Sequence, residues 1–331
     1  MSLPIKGPVL VTGGAGYIGG QTVLALLDAG VDVCVIDDLS TGTIRPFHEK
    51  VTFYEGQIHD EVLLDAIFAQ HEINAILHFA GSIQVSESVD NPLKYYHNNT
   101  EGSRVLIAAA VRHSVENFIF SSTAAVYGET GDSPVSEQDN TLPLNPYGWS
   151  KLFTEQQLKD ACSVCSMNYG IFRYFNVAGA DPDLRHGQFL KNPTHLIGRA
   201  IDALLGHASA LQVFGKALPT PDGTGVRDYI HVFDVASAHV ALLADMQKFS
   251  TSRLLNLGYG VGSSVLDVIA EISRCAGAEV PYEMSAPREG EAPSVIADIS
   301  RLQDQLEWTP KFNSLSQMTS SALDWARLPK G

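Results

Sequence analysis

Seven residues near the amino terminus, Gly13-Gly14-Ala15-Gly16-Tyr17-Ile18-Gly19, constrain the fold of this chain more than any other stretch. They follow the apolar run Val9-Leu10-Val11-Thr12 and open a segment, Tyr17 to Ala29, that reads as a helix stopped by Gly30. Glycines spaced G-x-x-G-x-x-G between a strand and a helix permit a tight turn and close backbone approach, and the helix N-terminus then faces a diphosphate. Further apolar, β-branched runs recur at Val31 to Asp37, Val51 to Glu55, Ala75 to Phe79, Asn117 to Ser122 and Gly170 to Tyr174. Between them Glu61 to His71, Pro92 to His113 and Tyr147 to Ser163 read as helices. Continuous rather than alternating apolarity suits strands buried on both faces of a parallel sheet, so the pattern predicts a doubly wound α/β fold.

The alternation holds to about residue 176 and then gives way to loops rich in Gly, Pro and His with shorter elements. The expected organisation is a Rossmann-type parallel-sheet domain over residues 1–176 and a smaller α/β domain over 177–331 that covers the carboxyl edge of the sheet and holds the substrate. Asp228 to Val235 and Arg253 to Leu257 look strand-like again, which predicts returning segments near 226–260. No run of eighteen apolar residues is present, so no membrane span is expected. A net charge of −15 repels phosphate backbones and anionic lipid, which argues against nucleic-acid and membrane partners. A small diphosphate remains compatible if arginines and a helix N-terminus converge on it locally. Met1-Ser2-Leu3-Pro4 leads into a strand without the features of a secretory signal, and four scattered cysteines (Cys34, Cys162, Cys165, Cys275) suit a reducing compartment, so the expected location is cytoplasmic. Cys162 and Cys165 form a C-x-x-C with no second Cys or His pair at zinc spacing, and no metal is expected.

At the end of the second predicted strand sits Asp37, where a carboxylate can accept hydrogen bonds from ribose hydroxyls and would repel a 2′-phosphate, which favours NAD over NADP. Tyr147 and Lys151 lie four residues apart on a predicted helix and so share a face, while Ser121-Ser122-Thr123 ends the preceding strand, where open α/β sheets place reacting groups. A free tyrosine, with a pKa near ~10, is a poor base at neutral pH. A unit positive charge ~6 Å away at an effective dielectric of ~20 contributes about 2.8 kcal/mol, enough to lower it by about two pH units. Lys151 is expected to supply one such charge and an oxidised nicotinamide a second, making Tyr147 a general base. The Thr123 hydroxyl, and Ser122 as a further candidate, would hydrogen-bond the reacting oxygen.

The glycine spacing together with Asp37 resembles the extended short-chain dehydrogenase/reductase family, and the resemblance spans essentially the whole chain. It implies a cofactor site made of Gly13, Gly16, Tyr17, Ile18, Gly19, Asp37, Gln57, Ile58, Phe79, Ala80, Gly81, Asn98, Tyr147, Lys151 and Tyr174. His78-Phe79-Ala80-Gly81 looks like the loop beside the cofactor and Asn98-Asn99 like the pair that steadies the next helix and strand. In Gly56-Gln57-Ile58 an amide stands where the family usually carries an aspartate near the adenine. Several strings resemble the UDP-glucose 4-epimerase branch of that family: Asn117 to Ser122 leading to Val126-Tyr127-Gly128, Pro146-Tyr147-Gly148, Arg173 to Asn176, Asp222 to Val232, and Arg288-Glu289-Gly290-Glu291.

That resemblance implies NAD as cofactor and UDP-glucose and UDP-galactose as substrates, bound by Thr123, Asn176, His195, Phe214, Arg227, Arg288 and Glu291. It implies that Tyr147, Lys151 and Thr123 carry out a reversible 4-epimerisation: Tyr147 takes the 4-hydroxyl proton as C4 gives up hydride, and the resulting 4-keto sugar turns and takes the hydride back on its other face. Dehydratases of nucleotide sugars need an acid and a base after the threonine; here Ala124 and Ala125 follow Thr123, which disfavours dehydration. The alternatives are a UDP-N-acetylglucosamine or UDP-uronate 4-epimerase, a net oxidoreductase of the same family, or a non-catalytic NAD-binding protein. Trp149 stands where the family often has Lys or Arg, Ile83 stands where several epimerases carry a lysine beside the nicotinamide, which implies a weaker hold on NAD, and Val295 resembles the position beside the sugar's 2-substituent, where a side chain smaller than tyrosine implies room for N-acetylated sugars. Family members commonly form homodimers through the helices near Leu93 to His113 and Tyr147 to Ser163, and a homodimer is expected.

Overall fold

Strands of the central sheet are apolar on both sides because both sides are covered. In the computed structural model, which describes residues 5–42, 51–131, 134–189, 193–215, 218–285 and 292–329, β1 (Val9–Thr12), β2 (Val33–Asp37), β3 (Val51–Glu55), β4 (Ala75–His78), β5 (Asn117–Thr123) and β6 (Asn168–Tyr174) follow one another, with helices between them at every step other than β2 to β3, where the described residues hold none. Each pairs in parallel with its neighbours, and the seven-stranded order is β10-β6-β5-β4-β1-β2-β3, where β10 is Arg253–Leu257. Side chains alternate as strand geometry requires. Val9 and Val11 pack with α1 (Tyr17–Asp28) on one face, while Leu10 packs on the other with α2 (Glu61–Gln70).

The sequence read Pro92 to His113 as one helix, and the structure divides it. After α3 (Val85–Asp90) comes α4 (Pro92–Tyr95), then a π-helical stretch Tyr96–Glu101, then α5 (Gly102–Arg112). A π-turn carries extra residues per turn and so displaces side chains from the α-helical faces. Here it brings Asn99 inside, where its amide donates to the Ser82 carbonyl at 3.0 Å and the Ser150 hydroxyl at 2.9 Å. The next helix, α6 (Pro146–Ser163), begins with Asn145 accepting from the Gly148 N–H at 2.9 Å and with Pro146 in its first turn, a standard start.

Past β7 (Asn176–Ala178) come α7 (Leu196–Leu204), β8 (Leu211–Phe214), β9 (Val226–His231), α8 (Val232–Phe249), β11 (Gly262–Ser264) and α9 (Val265–Ala276). β12 (Tyr282–Ser285), β13 (Ser294–Val295), α10 (Ser300–Gln305) and α11 (Leu315–Arg327) complete the chain. β9 is the hub of a four-stranded sheet with β7, β11 and β13, and β8 pairs with β12. The strand expected over Asp228 to Val235 ends at His231, because that ring accepts from the Phe233 N–H and starts α8. A separate core forms around Ile197, Ile201, Leu211, Val268, Ile272 and Leu323. Among the described residues no helix is long and apolar enough to cross a membrane.

Candidate active site

The glycine loop is packed too tightly for side chains. A Cβ on Gly19 would lie 2.2 Å from the Gly13 carbonyl oxygen, and one on Gly13 would lie 2.6 Å from the Ala80 nitrogen. Gly13 also has φ +69°, a left-handed value that glycine adopts without strain. Gly16 caps α1 with no side-chain hydrogen bond, so the N–H groups of the first turn, from Tyr17 and Ile18 onward, are left to an anion. The Tyr17 hydroxyl points elsewhere and donates to the Gly179 carbonyl at 2.6 Å.

Asp37 is buried at the end of β2, its oxygens accepting from Ala15 N at 2.9 Å and Leu39 N at 2.8 Å; burial raises its pKa, and these two bonds act against that. Lone pairs remain for a pair of hydroxyls. Gln57 is exposed and its amide approaches Asp38 at 3.4 Å, while Ile58 is buried behind it. Phe79, Ala80 and Gly81 leave β4 beside the loop: Phe79 N bonds the Thr12 carbonyl and Ala80 N the Thr12 hydroxyl. Asn98 donates to the Ser82 hydroxyl at 2.9 Å. An uncapped helix, a glycine cradle that side chains would fill and a buried carboxylate at the second strand fit a dinucleotide such as NAD.

Tyr147 is the second residue of α6, near the positive end of the helix. Its ring stands edge-on to Tyr95 at 6.4 Å. Thr123 accepts from Ala125 N at 3.1 Å, and its hydroxyl, hydrogen-bonded to Tyr147, favours the phenolate. Burial is the larger influence, however, and raises the Tyr147 pKa above its ordinary value. Lys151 donates to the Ser121 carbonyl at 3.0 Å and lies over the Phe120 ring, which places its ammonium on the strand below the phenol. Burial moves Lys151 itself from the usual 10.5 down to about 8.

Ser122 faces away from this group. Strand residues alternate, and the Ser122 hydroxyl donates to the buried Glu155 carboxylate at 2.5 Å on the α6 side, which removes it as a partner for the reacting oxygen. Ser121, on the same face as Thr123, bonds the Tyr174 hydroxyl. Tyr174 also donates to His239 Nε2 at 2.6 Å, since the other ring nitrogen of His239 donates to the Val235 carbonyl. Its ring and backbone are what it can offer a nicotinamide.

On the substrate side, Asn176 is exposed on β7 and Arg227 lies on the adjoining β9, with Asn176 paired to Tyr229. The Arg227 guanidinium donates to the Val226 carbonyl at 2.8 Å, and Val295 of β13 is its register partner. Phe214 ends β8. His195 caps α7, accepting from Gly198 N at 3.2 Å, its Nε2 is buried, and the residue lines a cavity of about 50 Å³ together with Tyr17, Gly179 and Trp325. Arg288 and Glu291 lie outside the described residues. Sequence reasoning missed Glu155 and His239, which carry no local motif, and gave no role to Arg173, which lies in a quoted string; their roles come from partners 18 to 65 residues away.

Comparison with known proteins agrees with this arrangement. The profile of the NAD dependent epimerase/dehydratase family matches residues 9–258. The UDP-glucose 4-epimerase of Azospirillum brasilense is 47% identical over 96% of this chain and 92% of its own. The crystal structure of UDP-glucose 4-epimerase from Bifidobacterium longum in complex with NAD+ and UDP superposes with TM-score 0.89 at 37% identity, covering 96% of this chain and 97% of that one. The UDP-Glc/GlcNAc 4-epimerase from Campylobacter jejuni gives TM-score 0.85 at 40% identity, covering 97% and 99%. With a glycine-cradled dinucleotide site, a Tyr-x-x-x-Lys helix and a threonine at the strand end, the chain belongs to the NAD dependent epimerase/dehydratase family.

Proposed function

We propose that this chain is an isomerase that interconverts UDP-glucose and UDP-galactose by 4-epimerisation through a transient 4-keto sugar, with NAD bound and regenerated. The observation that carries the reading is the Tyr147–Thr123 pair at the carboxyl edge of the sheet, with Lys151 one turn behind it and no acid or base at Ala124 or Ala125. NAD, when bound, would supply the acceptor for the hydride from sugar C4 and a positive charge that favours the Tyr147 phenolate. Thr123 holds the 4-hydroxyl oxygen, and Tyr147 takes its proton and returns it. The Lys151 ammonium sits behind this pair and keeps the pocket cationic. Asn176, Phe214 and Arg227, with Arg288, Glu291 and His195, hold the UDP moiety while the hexose turns. We assign residues 1–176, with returning segments near 226–260, to NAD binding and 177–331 to the nucleotide sugar.

Val295 supports a wider substrate range. A small side chain opposite Arg227 leaves space beside the sugar that tyrosine would fill, and N-acetylated UDP-hexoses are then accepted as well. Turnover of UDP-N-acetylgalactosamine that disappears in Val295→Tyr, with UDP-galactose turnover retained, is the expected result; equal loss of both would remove the proposal.

The working form is proposed to be a homodimer in the cytoplasm. Val89, Leu93 and Phe153 are 61%, 76% and 43% exposed on α3, α4 and α6, beside Trp149 and Tyr96, an apolar face of the kind a second copy covers. Free thiols at Cys34, Cys162, Cys165 and Cys275 suit a reducing compartment. Incubating purified protein with UDP-galactose and no added cofactor tests the reading, with UDP-glucose as the expected product.

A further inference from the structure

The helix that carries Tyr147 and Lys151 meets the sheet through polar side chains near the reacting residues, with Leu152, Leu158, Ala161 and Cys162 supplying its apolar contacts. Its buried residues are Gly148, Ser150, Lys151, Thr154, Glu155 and Leu158, of which only Leu158 is a large aliphatic. Tyr147, Lys151 and Glu155 recur every four residues and share one face. Each meets the end of β5: Tyr147 at the Thr123 hydroxyl, Lys151 at the Ser121 carbonyl at 3.0 Å, and Glu155 at the Ser122 hydroxyl at 2.5 Å.

Glu155 is fully buried and receives a two-pronged contact from Arg173 on β6, with Nε 3.0 Å from Oε1 and Nη2 2.7 Å from Oε2. Lys159 on the same helix approaches Oε2 at 3.5 Å. The Arg173 guanidinium is itself held over the Tyr127 ring at 4.8 Å, and the Tyr127 hydroxyl donates to Asn256 of β10 at 2.6 Å. A planar fork between two buried charges admits one height and one rotation of the helix that bears the carboxylate, whereas non-directional aliphatic contacts tolerate slippage.

We propose that Glu155 and Arg173 are positioning residues for the epimerisation: their buried fork fixes the height and rotation of α6 and thereby sets Tyr147 and Lys151 against Thr123. The proposal rests on the epimerase reading above. Neither side chain is needed to touch the sugar or the cofactor; both act through the helix.

Two variants of the NAD-loaded enzyme test it. Glu155→Asp keeps the charge but withdraws the carboxylate by one methylene, so that it no longer spans Ser122 and Arg173. Glu155→Met combined with Arg173→Met removes both charges, leaves none uncompensated, and so keeps the test open if the single variant does not fold. Turnover of UDP-galactose is measured per NAD-loaded site, with UDP affinity and amide hydrogen exchange across residues 147–155. The expected result is a fall in kcat of roughly 10- to 100-fold in both variants, as small misplacements of reacting groups produce, with UDP affinity within about twofold and faster exchange confined to α6. A merely structural role would lower the melting temperature and the yield of loaded protein but leave turnover per loaded site unchanged, and that outcome overturns the proposal. If the unmodified enzyme fails to convert UDP-galactose, the functional reading fails instead, and the exchange data still report on the fork.

Discussion

Burial brings the Lys151 ammonium from the usual 10.5 to about 8, and that direction sets its effect on stability. Below pH 8 the lysine is charged in both folded and unfolded chains, and the folded state bears the full desolvation cost. Between pH 8 and 10.5 the folded lysine is already neutral while the unfolded one still binds a proton, so stability rises with pH across that window and levels off above it. A displacement of this size corresponds to about 3 kcal/mol, part of it offset by the bond to the Ser121 carbonyl that substitution removes. Lys151→Met is therefore predicted to be inactive yet about 1–3 kcal/mol more stable than the parent at pH 7, with the gain shrinking toward pH 10.5 in denaturant titrations. A variant less stable at every pH would contradict this. Tyr147→Phe is predicted to lose about 10²- to 10⁴-fold in kcat with UDP affinity unchanged by calorimetry. The juxtaposition of Tyr147, Lys151 and the end of β5 at Thr123 was legible in the sequence, because helical spacing and the strand end alone place them together. Ser122 was misassigned although the signal was present: strand alternation turns it from Thr123 toward Glu155. Glu155, Arg173 and His239 were not legible, since only the fold brings their partners near.

At the scale of elements, the cofactor turn depends on backbone that no side chain can enter. Gly19→Ala would push a methyl to within 2.2 Å of the Gly13 carbonyl oxygen, so the turn must open. The expected outcome is a loss of about 1–3 kcal/mol in stability and purification largely free of NAD, read from the absorbance of released dinucleotide; full NAD content would contradict it. The glycine spacing and the strand before it were evident in the sequence because this turn is local. The π-helical stretch was not, because no residue pattern in Tyr96–Glu101 separates a π-turn from an α-turn and the stretch is distinguished by where Asn99 reaches. Asn99→Ala removes bonds to Ser82 and Ser150 and is predicted to reduce kcat and NAD retention together, since one side chain joins the cofactor loop to α6; unchanged NAD retention would separate the two.

For the whole molecule, the doubly wound sheet was readable from continuous apolar runs, whereas β7, β11 and β13 were not, being two or three residues long with mixed polarity. The exposed face of α3, α4 and α6 bears on assembly: sedimentation is predicted to give a dimer, and Leu93→Glu, at a side chain 76% exposed in the single chain, a monomer that still folds. The central claim is that one hydride leaves and re-enters the same carbon. UDP-galactose labelled with deuterium at C4, incubated in ordinary water with no added cofactor, tests it most directly. The expected product is UDP-glucose with deuterium retained at C4, with no accumulation of reduced nicotinamide. Deuterium lost to water, or reduced nicotinamide formed in step with product, would contradict it.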